Sequence, residues 1–200
     1  PAPAMQLLPQ VLSRFHDQHP QVTLRIVDGQ YPFFLPALRD GSLDFVVGPR
    51  PPEGLSAEFH SEVLFTNPNT VLCRLGHPLA GAKRVRDLAD VEWVLPSMNR
   101  RPSMAISDLF RAQGLGEPKC RISSETLSIT QALVAESDMM TVLPLGAYLA
   151  GALRPDITNI SLDDPLKPYE ICIITRAGVP LSPAAQVLAD VFRRTPARFV

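Results

Sequence analysis

The chain has 200 residues, of which 46% are hydrophobic and 20% are charged, a composition typical of a globular protein with one large core or two smaller ones. Nineteen basic residues balance twenty acidic ones, so a net charge of −1 offers nucleic acid no positive field, and we do not expect this chain to bind DNA by itself. No apolar run reaches the roughly 20 residues of a membrane helix and no secretion signal opens the chain, which predicts a cytoplasmic protein with no membrane partner.

The first part of the chain alternates predicted helices and strands. Apolar residues at helical spacing predict a helix that ends before Pro20, and alternating or continuous apolar runs predict the strands. Asparagine and proline at residues 66–69 predict a bend between two extended segments. In chain order the predicted elements are a helix at Met5–His19, strand Val22–Val27, helix Phe34–Arg39, strand Leu43–Val47, and extended segments Ala57–Phe65 and Thr70–Leu75.

The second part continues the alternation and ends on an amphipathic helix. Its predicted helices are Val85–Leu88, Ser103–Gln113, Leu127–Glu136, Leu145–Leu149 and Pro183–Arg194, and its predicted strands are Trp93–Leu95, Lys119–Ile122, Met139–Leu143, Ile157–Ile160 and Tyr169–Thr175. Strands separated by helices need crossover connections, so we expect largely parallel pairing. The pattern predicts an α/β protein of two lobes, joined by extended segments near residues 70 and 170.

Residues that could carry chemistry are few. Cys73, Cys120 and Cys172 are odd in number and lie in or beside apolar runs, which predicts buried, reduced thiols. His16 and His19 have helical spacing, but Pro20 follows and no third ligand is near, so we expect no metal site.

Catalytic motifs are also missing from the sequence. It has no nucleophile elbow, phosphate-binding loop or dinucleotide fingerprint, and we expect neither catalysis nor a cofactor. We interpret Asp163, Asp164 and Glu117 as solvated loop carboxylates.

Six short motifs follow one another along almost the whole chain. They are Leu7-Leu8-Pro9, His19-Pro20 before a strand, residues 38–48 (LRDGSLDFVVG), Gly76-His77-Pro78-Leu79-Ala80, Asp87-Leu88-Ala89, and Leu133-Val134 before Val142-Leu143-Pro144. In this order and at this spacing the chain resembles the effector domain of LysR-type transcriptional regulators. It departs from the family at Glu136-Ser137-Asp138, where a Gly-x-Gly turn is common, and this affects the expected shape of that loop alone.

The resemblance implies a fold like that of type 2 periplasmic binding proteins, with two Rossmann-like lobes, two crossing hinge strands and a ligand cleft between the lobes. On this sequence, lobe I would comprise residues 1–67 plus 175–200 and lobe II residues 68–174. Members of the family also carry an N-terminal winged helix-turn-helix domain, which does not precede Pro1. DNA would therefore be a partner only through that missing domain.

Ligand-binding residues are expected beyond the carboxyl ends of strands, where helix N-termini favour an anion. In lobe I this rule selects Met5, Gly29, Tyr31 and Pro49, and in lobe II it selects Ser97, Asn99, Arg100, Arg101, Ser103, Thr126, Pro144 and Gly146. One of the two arginines would pair with a carboxylate or sulfonate. A solvated loop for these arginines, and core packing for Phe33 and Phe34 beside Tyr31, remain open alternatives.

The function predicted from the residues and the resemblance is an effector sensor for a small organic anion, with aromatic carboxylates and sulfonates among the candidates. The resemblance further implies an antiparallel homodimer of this domain and a tetramer of the full-length protein. We expect the dimer contact along Val22–Val27, Leu35–Arg39 and Ser103–Gln113. The alternatives are a solute-binding protein of a transport system, which would need an export signal, and an enzyme of the same fold, which would need reactive groups in the cleft.

Overall fold

Two α/β units make up the computed structural model, which describes residues 2–29, 31–51, 54–95, 104–124 and 126–196. Unit 1 consists of residues 3–67 and the chain from Tyr169 onward, and unit 2 of residues 68–168. The α/β architecture expected from the sequence is thereby confirmed. Residues 169–174, expected in lobe II, lie in unit 1 because they pair with strands of that unit.

Six α-helices, one 3-10 helix and eight strands are formed by the described residues. In chain order they are α1 (Ala2–Gln18), α2 (Tyr31–Asp40), β1 (Val46–Pro49), β2 (Phe59–Asn67), β3 (Asn69–Arg74), the 3-10 helix Val85–Leu88, β4 (Glu92–Leu95), α3 (Met104–Ala112), β5 (Lys119–Ser123), α4 (Leu127–Ala135), β6 (Thr141–Pro144), α5 (Leu145–Leu149), β7 (Ile157–Ile160), β8 (Tyr169–Arg176) and α6 (Pro183–Arg194). None of these helices is long and apolar enough to cross a membrane.

Unit 1 is built on an antiparallel sheet in the order β1-β8-β2. Leu7, Val11 and Phe15 recur every four residues on α1 and are buried, because this spacing lines one helix face. They pack with Leu188 and Phe192 of α6. The sheet and these helices therefore share one core, and a second core lies between the sheet and α2.

Unit 2 has an antiparallel sheet in the order β6-β3-β7 and a parallel pair, β4 and β5. A parallel bridge between Trp93 and Met140 links the two, with the Val94 amide donating to the Met140 carbonyl at 2.9 Å. Alternate residues of β3 face opposite sides, as a strand requires. Val71 packs with Trp93 in one core, and Leu72 packs with Val94 in the other.

Two expectations about the strands were wrong. Val22–Val27 is not a strand: its alternation finds no partner strand, and Leu24 and Ile26 are 37% and 56% exposed. Pairing in the described residues is mostly antiparallel, with the β4–β5 pair and the Trp93–Met140 bridge as the parallel contacts. In unit 1, β8 is distant in sequence, enters the sheet between β1 and β2 and runs antiparallel to both. In unit 2, β3 lies between β6 and β7 and runs antiparallel to both.

Candidate functional site

The carboxyl ends of β4, β5 and β6 reach the same edge of unit 2. Leu95, the last residue of β4, pairs with Ser123, the last residue of β5, and the next amide, that of Ser124, donates to the Leu95 carbonyl at 3.2 Å. The bridge between Trp93 of β4 and Met140, which directly precedes β6, is parallel, so β6 runs in the same direction as β4. In an open α/β sheet this edge is where ligands bind. We call it the strand-end edge, formed by Leu95, Ser123, Ser124, Thr126 and Pro144–Gly146.

The start of α4 on the strand-end edge carries an exposed hydroxyl. Thr126 occupies the N-cap position with φ −104° and ψ 121°, but its side chain makes no capping hydrogen bond. The preceding turn is held instead by buried Ser124, whose hydroxyl accepts from the Thr126 amide at 3.3 Å and donates to the Thr126 carbonyl at 3.1 Å. The first turn of α4 has no acidic residue. The Thr126 side chain leaves the amides of this first turn uncapped. These amides and the exposed Thr126 hydroxyl can donate hydrogen bonds to an anion.

Pro144 and Gly146 complete this edge but are buried. Pro144 lies opposite Asn69 of β3, and the Leu145 amide donates to the Pro68 carbonyl at 2.7 Å. Thr126, Pro144 and Gly146, which the sequence predicts as ligand residues, lie at this edge, and of these three only Thr126 presents an exposed side chain.

Two asparagines beside Pro68 were missed by the sequence analysis. Asn69 is 9% exposed and its amide Nδ2 donates to the Lys167 carbonyl at 2.6 Å. Asn67, the last residue of β2, is fully buried, and neither of its side-chain amide atoms has a hydrogen-bond partner in the described part of the chain. A signal was present, since asparagine is unfavourable next to an apolar strand unless its side chain has a specific partner.

The predicted ligand residues of unit 1 lie at three places. Met5 is in the first turns of α1. Gly29 precedes α2, which begins at Tyr31, and a Cβ at Gly29 would lie 3.4 Å from the ring of Phe34. Pro49 is the last residue of β1 and lies opposite Ile171 of β8.

The aromatic residues after Tyr31 have different environments. Phe34 packs against the core beside α2, as the alternative interpretation expected, whereas Phe33 is 52% exposed. Their rings are 5.7 Å apart at an edge-to-face angle of 67°. Phe33 is therefore an aromatic side chain that a ligand or a partner can reach.

Five predicted ligand residues lie outside the described residues. They are Ser97, Asn99, Arg100, Arg101 and Ser103. They belong to the segment that follows β4, and their roles, including that of the arginine pair, remain predictions.

The cysteines are free, and Cys73 and Cys172 are buried whereas Cys120 is half-buried. Burial raises the pKa of the Cys73 thiol to about 11, so this thiol is protonated near neutral pH and is a poor nucleophile. No group of three or more His, Cys, Asp or Glu side chains that could hold a metal ion occurs among residues the structure describes.

Comparison with known proteins gives one consistent family. The model of the LysR substrate binding domain matches residues 1–197. The transcriptional regulator GalR of Pseudomonas putida is 30% identical over 192 residues, which cover 94% of this chain and 48% of that protein. GbpR of Azospirillum brasilense is 29% identical over 144 residues, covering 70% of this chain and 42% of that regulator. The chain thus spans about half the length of these two relatives.

Solved structures show the same fold at low sequence identity. The effector-binding domain of QuiR in complex with shikimate has a TM-score of 0.78 at 18% identity, covering 94% of this chain and 88% of that one. The regulatory domain of CcmR from Synechocystis in complex with 2-PG has a TM-score of 0.79 at 19% identity, covering 95% and 91%. The effector-binding domain of BenM with benzoate has a TM-score of 0.74 at 19% identity, covering 95% and 86%.

The architecture is therefore that of LysR effector-binding domains, which are of the type 2 periplasmic-binding-protein kind. The motifs that suggested the family lie within the matched residues 1–197. The chain belongs to the family of LysR substrate-binding domains.

Proposed function

We propose that the chain is the effector-sensing domain of a LysR-type transcriptional regulator and that it binds a small organic anion. The observation that carries the proposal is the strand-end edge of unit 2, where the start of α4 presents backbone amides and the exposed Thr126 hydroxyl. Membership of the LysR substrate-binding family over residues 1–197 supports a sensing role. The cleft between lobes that the resemblance implies remains a prediction.

A carboxylate or a sulfonate is the favoured head group of the effector. Either group would accept hydrogen bonds from helix amides, from a threonine hydroxyl and from one of Arg100 and Arg101. The QuiR and BenM domains were solved with shikimate and benzoate, both of which are carboxylates. These complexes support an acidic ligand here without specifying the rest of the molecule.

The whole protein would pass the signal to DNA through domains outside this chain. GalR and GbpR are named as transcriptional regulators of the helix-turn-helix type, and about half of their length has no counterpart in this chain. The whole protein would work in the cytoplasm, because a bacterial regulator of the kind of GalR and GbpR acts on DNA there. An effector can shift such a protein between states only by binding one state better than another.

Signal transmission would use a homodimer of this domain and a tetramer of the whole protein. Leu24, Ile26 and Phe33 are exposed along the expected contact in unit 1, which supports this part of the proposal. The expected contribution of α3 is smaller, because Ile106 and Phe110 are used in the core of unit 2.

Isothermal titration calorimetry with matched compounds tests the proposed function. Benzoate and benzenesulfonate should bind, and neutral benzamide, which has the shape of benzoate, should bind at least tenfold more weakly; shikimate and 2-PG extend the panel. Thr126→Ala should weaken binding about 2- to 10-fold, since one hydrogen bond contributes about 0.5 to 1.5 kcal/mol. Ser128→Ala, an exposed change two residues further along α4, is the control.

The outcomes of this titration separate the parts of the proposal. Comparing Arg100→Gln with Arg101→Gln identifies the arginine that holds the head group. Binding of neutral metabolites with no response to any acid of the panel would overturn the anion assignment.

Sedimentation velocity at tens of micromolar tests the homodimer. Ile26→Glu should shift the sedimentation coefficient towards that of a monomer, and Arg25→Glu, on the neighbouring exposed residue, should not. A monomer for the unaltered chain would refute a strong contact.

A further inference from the structure

A cavity of about 330 Å³ opens on unit 1 where β8 ends. β8 ends at Arg176, the chain turns at Gly178 with φ +70°, and the following segment leads to α6. The cavity is lined by Asp44, Arg176, Val179, Pro180, Leu181 and Ser182.

The strand register explains why two opposite charges meet in this cavity. β1 and β8 are antiparallel, with Val46 opposite Ile174. Continuing this register by two residues beyond the end of the ladder places Asp44 opposite Arg176. Both side chains line the cavity, yet they form no ion pair with each other or with any other side chain in the described residues.

Arg176 differs from the ion-paired arginines of unit 1 in having no ion pair among the described residues. Arg50 pairs with Glu170 at 2.9 Å, and Arg193 pairs with Glu62 at 3.0 Å. Arg176 instead rests against backbone, since a Cβ on Gly41 would lie 3.5 Å from its Nη1. Gly41 itself has φ +82°, a backbone conformation that favours glycine.

A nearby carboxylate, that of Asp40, is already engaged. Its Oδ1 accepts from the Ser42 amide at 2.8 Å. Hydrogen bonds from Ser42 are the main reason that the pKa of Asp40 is lowered, and the charge of Arg176 adds to them. The guanidinium N–H groups of Arg176 form no hydrogen bond with Asp40 in the described residues and can donate to a ligand.

The rest of the cavity lining is apolar. Val179 is 44% exposed, and Pro180 and Leu181 follow it along the chain. The Ser182 hydroxyl is used as the N-cap of α6, where it accepts from the Ala185 amide at 3.3 Å. The cavity therefore offers one cation, one exposed carboxylate and an apolar wall.

We propose that this cavity binds a small aliphatic zwitterion of the α-amino acid class, with its carboxylate on Arg176, its ammonium group on Asp44 and its side chain against Val179 and Leu181. A molecule with both charges satisfies two unpaired groups at once, whereas a simple anion or cation leaves one of them unpaired. This site lies within unit 1 and is separate from the strand-end edge of unit 2. Its occupant would be a second ligand, independent of the proposed effector.

The test uses L-leucine as the probe in a ¹H–¹⁵N NMR titration of the whole chain. We expect a dissociation constant on the order of 1 mM, because exposed charge pairs are each weak. Amide shifts should concentrate at residues 41–45 and 176–183. The matched controls are 4-methylpentanoate, which is leucine without its ammonium group, and 3-methylbutylamine, which is leucine without its carboxylate; each should bind at least fivefold more weakly.

Two substitutions and one control complete the test. Arg176→Gln and the exposed change Asp44→Asn should each weaken L-leucine binding about fivefold or more, while Arg50→Gln, on a paired arginine of the same unit, should leave it unchanged. No shifts up to about 50 mM, equal shifts with the amine or the acid alone, or shifts confined to unit 2 would each overturn the proposal. None of these results bears on the benzoate titration, so this proposal and the proposed function fail separately.

Discussion

Replacing Asp164 with alanine should destabilise unit 2 strongly, although this residue lies in a loop. The Asp164 side chain is 5% exposed and accepts a hydrogen bond from the Val85 amide at 2.7 Å at the start of the 3-10 helix. Val85 is itself fully buried, so Asp164→Ala leaves its amide without a partner. A hydrogen bond to a charged group contributes about 1.5 to 3 kcal/mol. The Arg84 side chain, 3.4 Å away and 50% exposed, adds little.

The expected loss for Asp164→Ala is therefore about 2 to 3 kcal/mol in the free energy of unfolding. For a protein of this size it corresponds to a melting temperature lower by about 4 to 12 °C. Asp163→Ala is the matched control, because the neighbouring side chain is exposed, and it should change stability by about 0.5 kcal/mol or less. Urea denaturation followed by Trp93 fluorescence measures both variants, since Trp93 is buried in the core of unit 2. Equal effects of the two substitutions would refute the reasoning.

Three further predictions follow from buried or paired groups. Cys73, whose pKa of about 11 reflects its burial, should resist a thiol-specific disulfide reagent at pH 8 until the chain is unfolded, and rapid labelling of the native protein would contradict this. The pKa of Glu58 is lowered to about 2, first by its hydrogen bond from Arg39. Because the folded-state pKa is lowered, the stabilisation by this carboxylate is present above about pH 4.5 and is lost as the pH falls towards 2. The difference in urea midpoint between Glu58→Gln and the unaltered chain should therefore shrink over that range. Asn67→Val should raise the free energy of unfolding by about 1 kcal/mol, because it removes an amide that is unpaired in the described residues. Asn69→Val should lower the free energy of unfolding by about 1 kcal/mol, because it removes the hydrogen bond to the Lys167 carbonyl. Urea denaturation that gives the same sign for both variants would contradict this.

Elements with a strong periodic pattern and clear end signals were predictable from the sequence. Pro183–Arg194 was predicted with the bounds that α6 has, because Ser182 caps it, Pro183 suits the first turn and its apolar residues keep helical spacing. Val22–Val27 failed because alternation reports which side chains would face a core, while a strand also needs a neighbour to pair with. Local sequence does not contain that neighbour.

The placement of Thr126 at the start of a helix was predictable from the sequence, whereas its role in ligand binding stays a prediction. The rule for strand ends selected Thr126, and the structure places it at the N-cap of α4 on the strand-end edge. That Ser124 rather than Thr126 holds the turn depends on side-chain geometry, which sequence patterns do not specify. Asp164 was misread for the same reason: a carboxylate in a loop is usually solvated, but this one binds an amide 79 residues away in sequence.

The chain passes between the two units twice. Unit 2 begins with Pro68 and ends with Pro168. Pro68 follows Asn67, and Pro168 precedes Tyr169. Each proline fixes its own φ, so the backbone there is stiff. Within unit 2, the Asn69 side chain ties the residue after the first proline to Lys167, the residue before the second. The two ends of unit 2 are therefore tied to each other within the unit by a side-chain hydrogen bond.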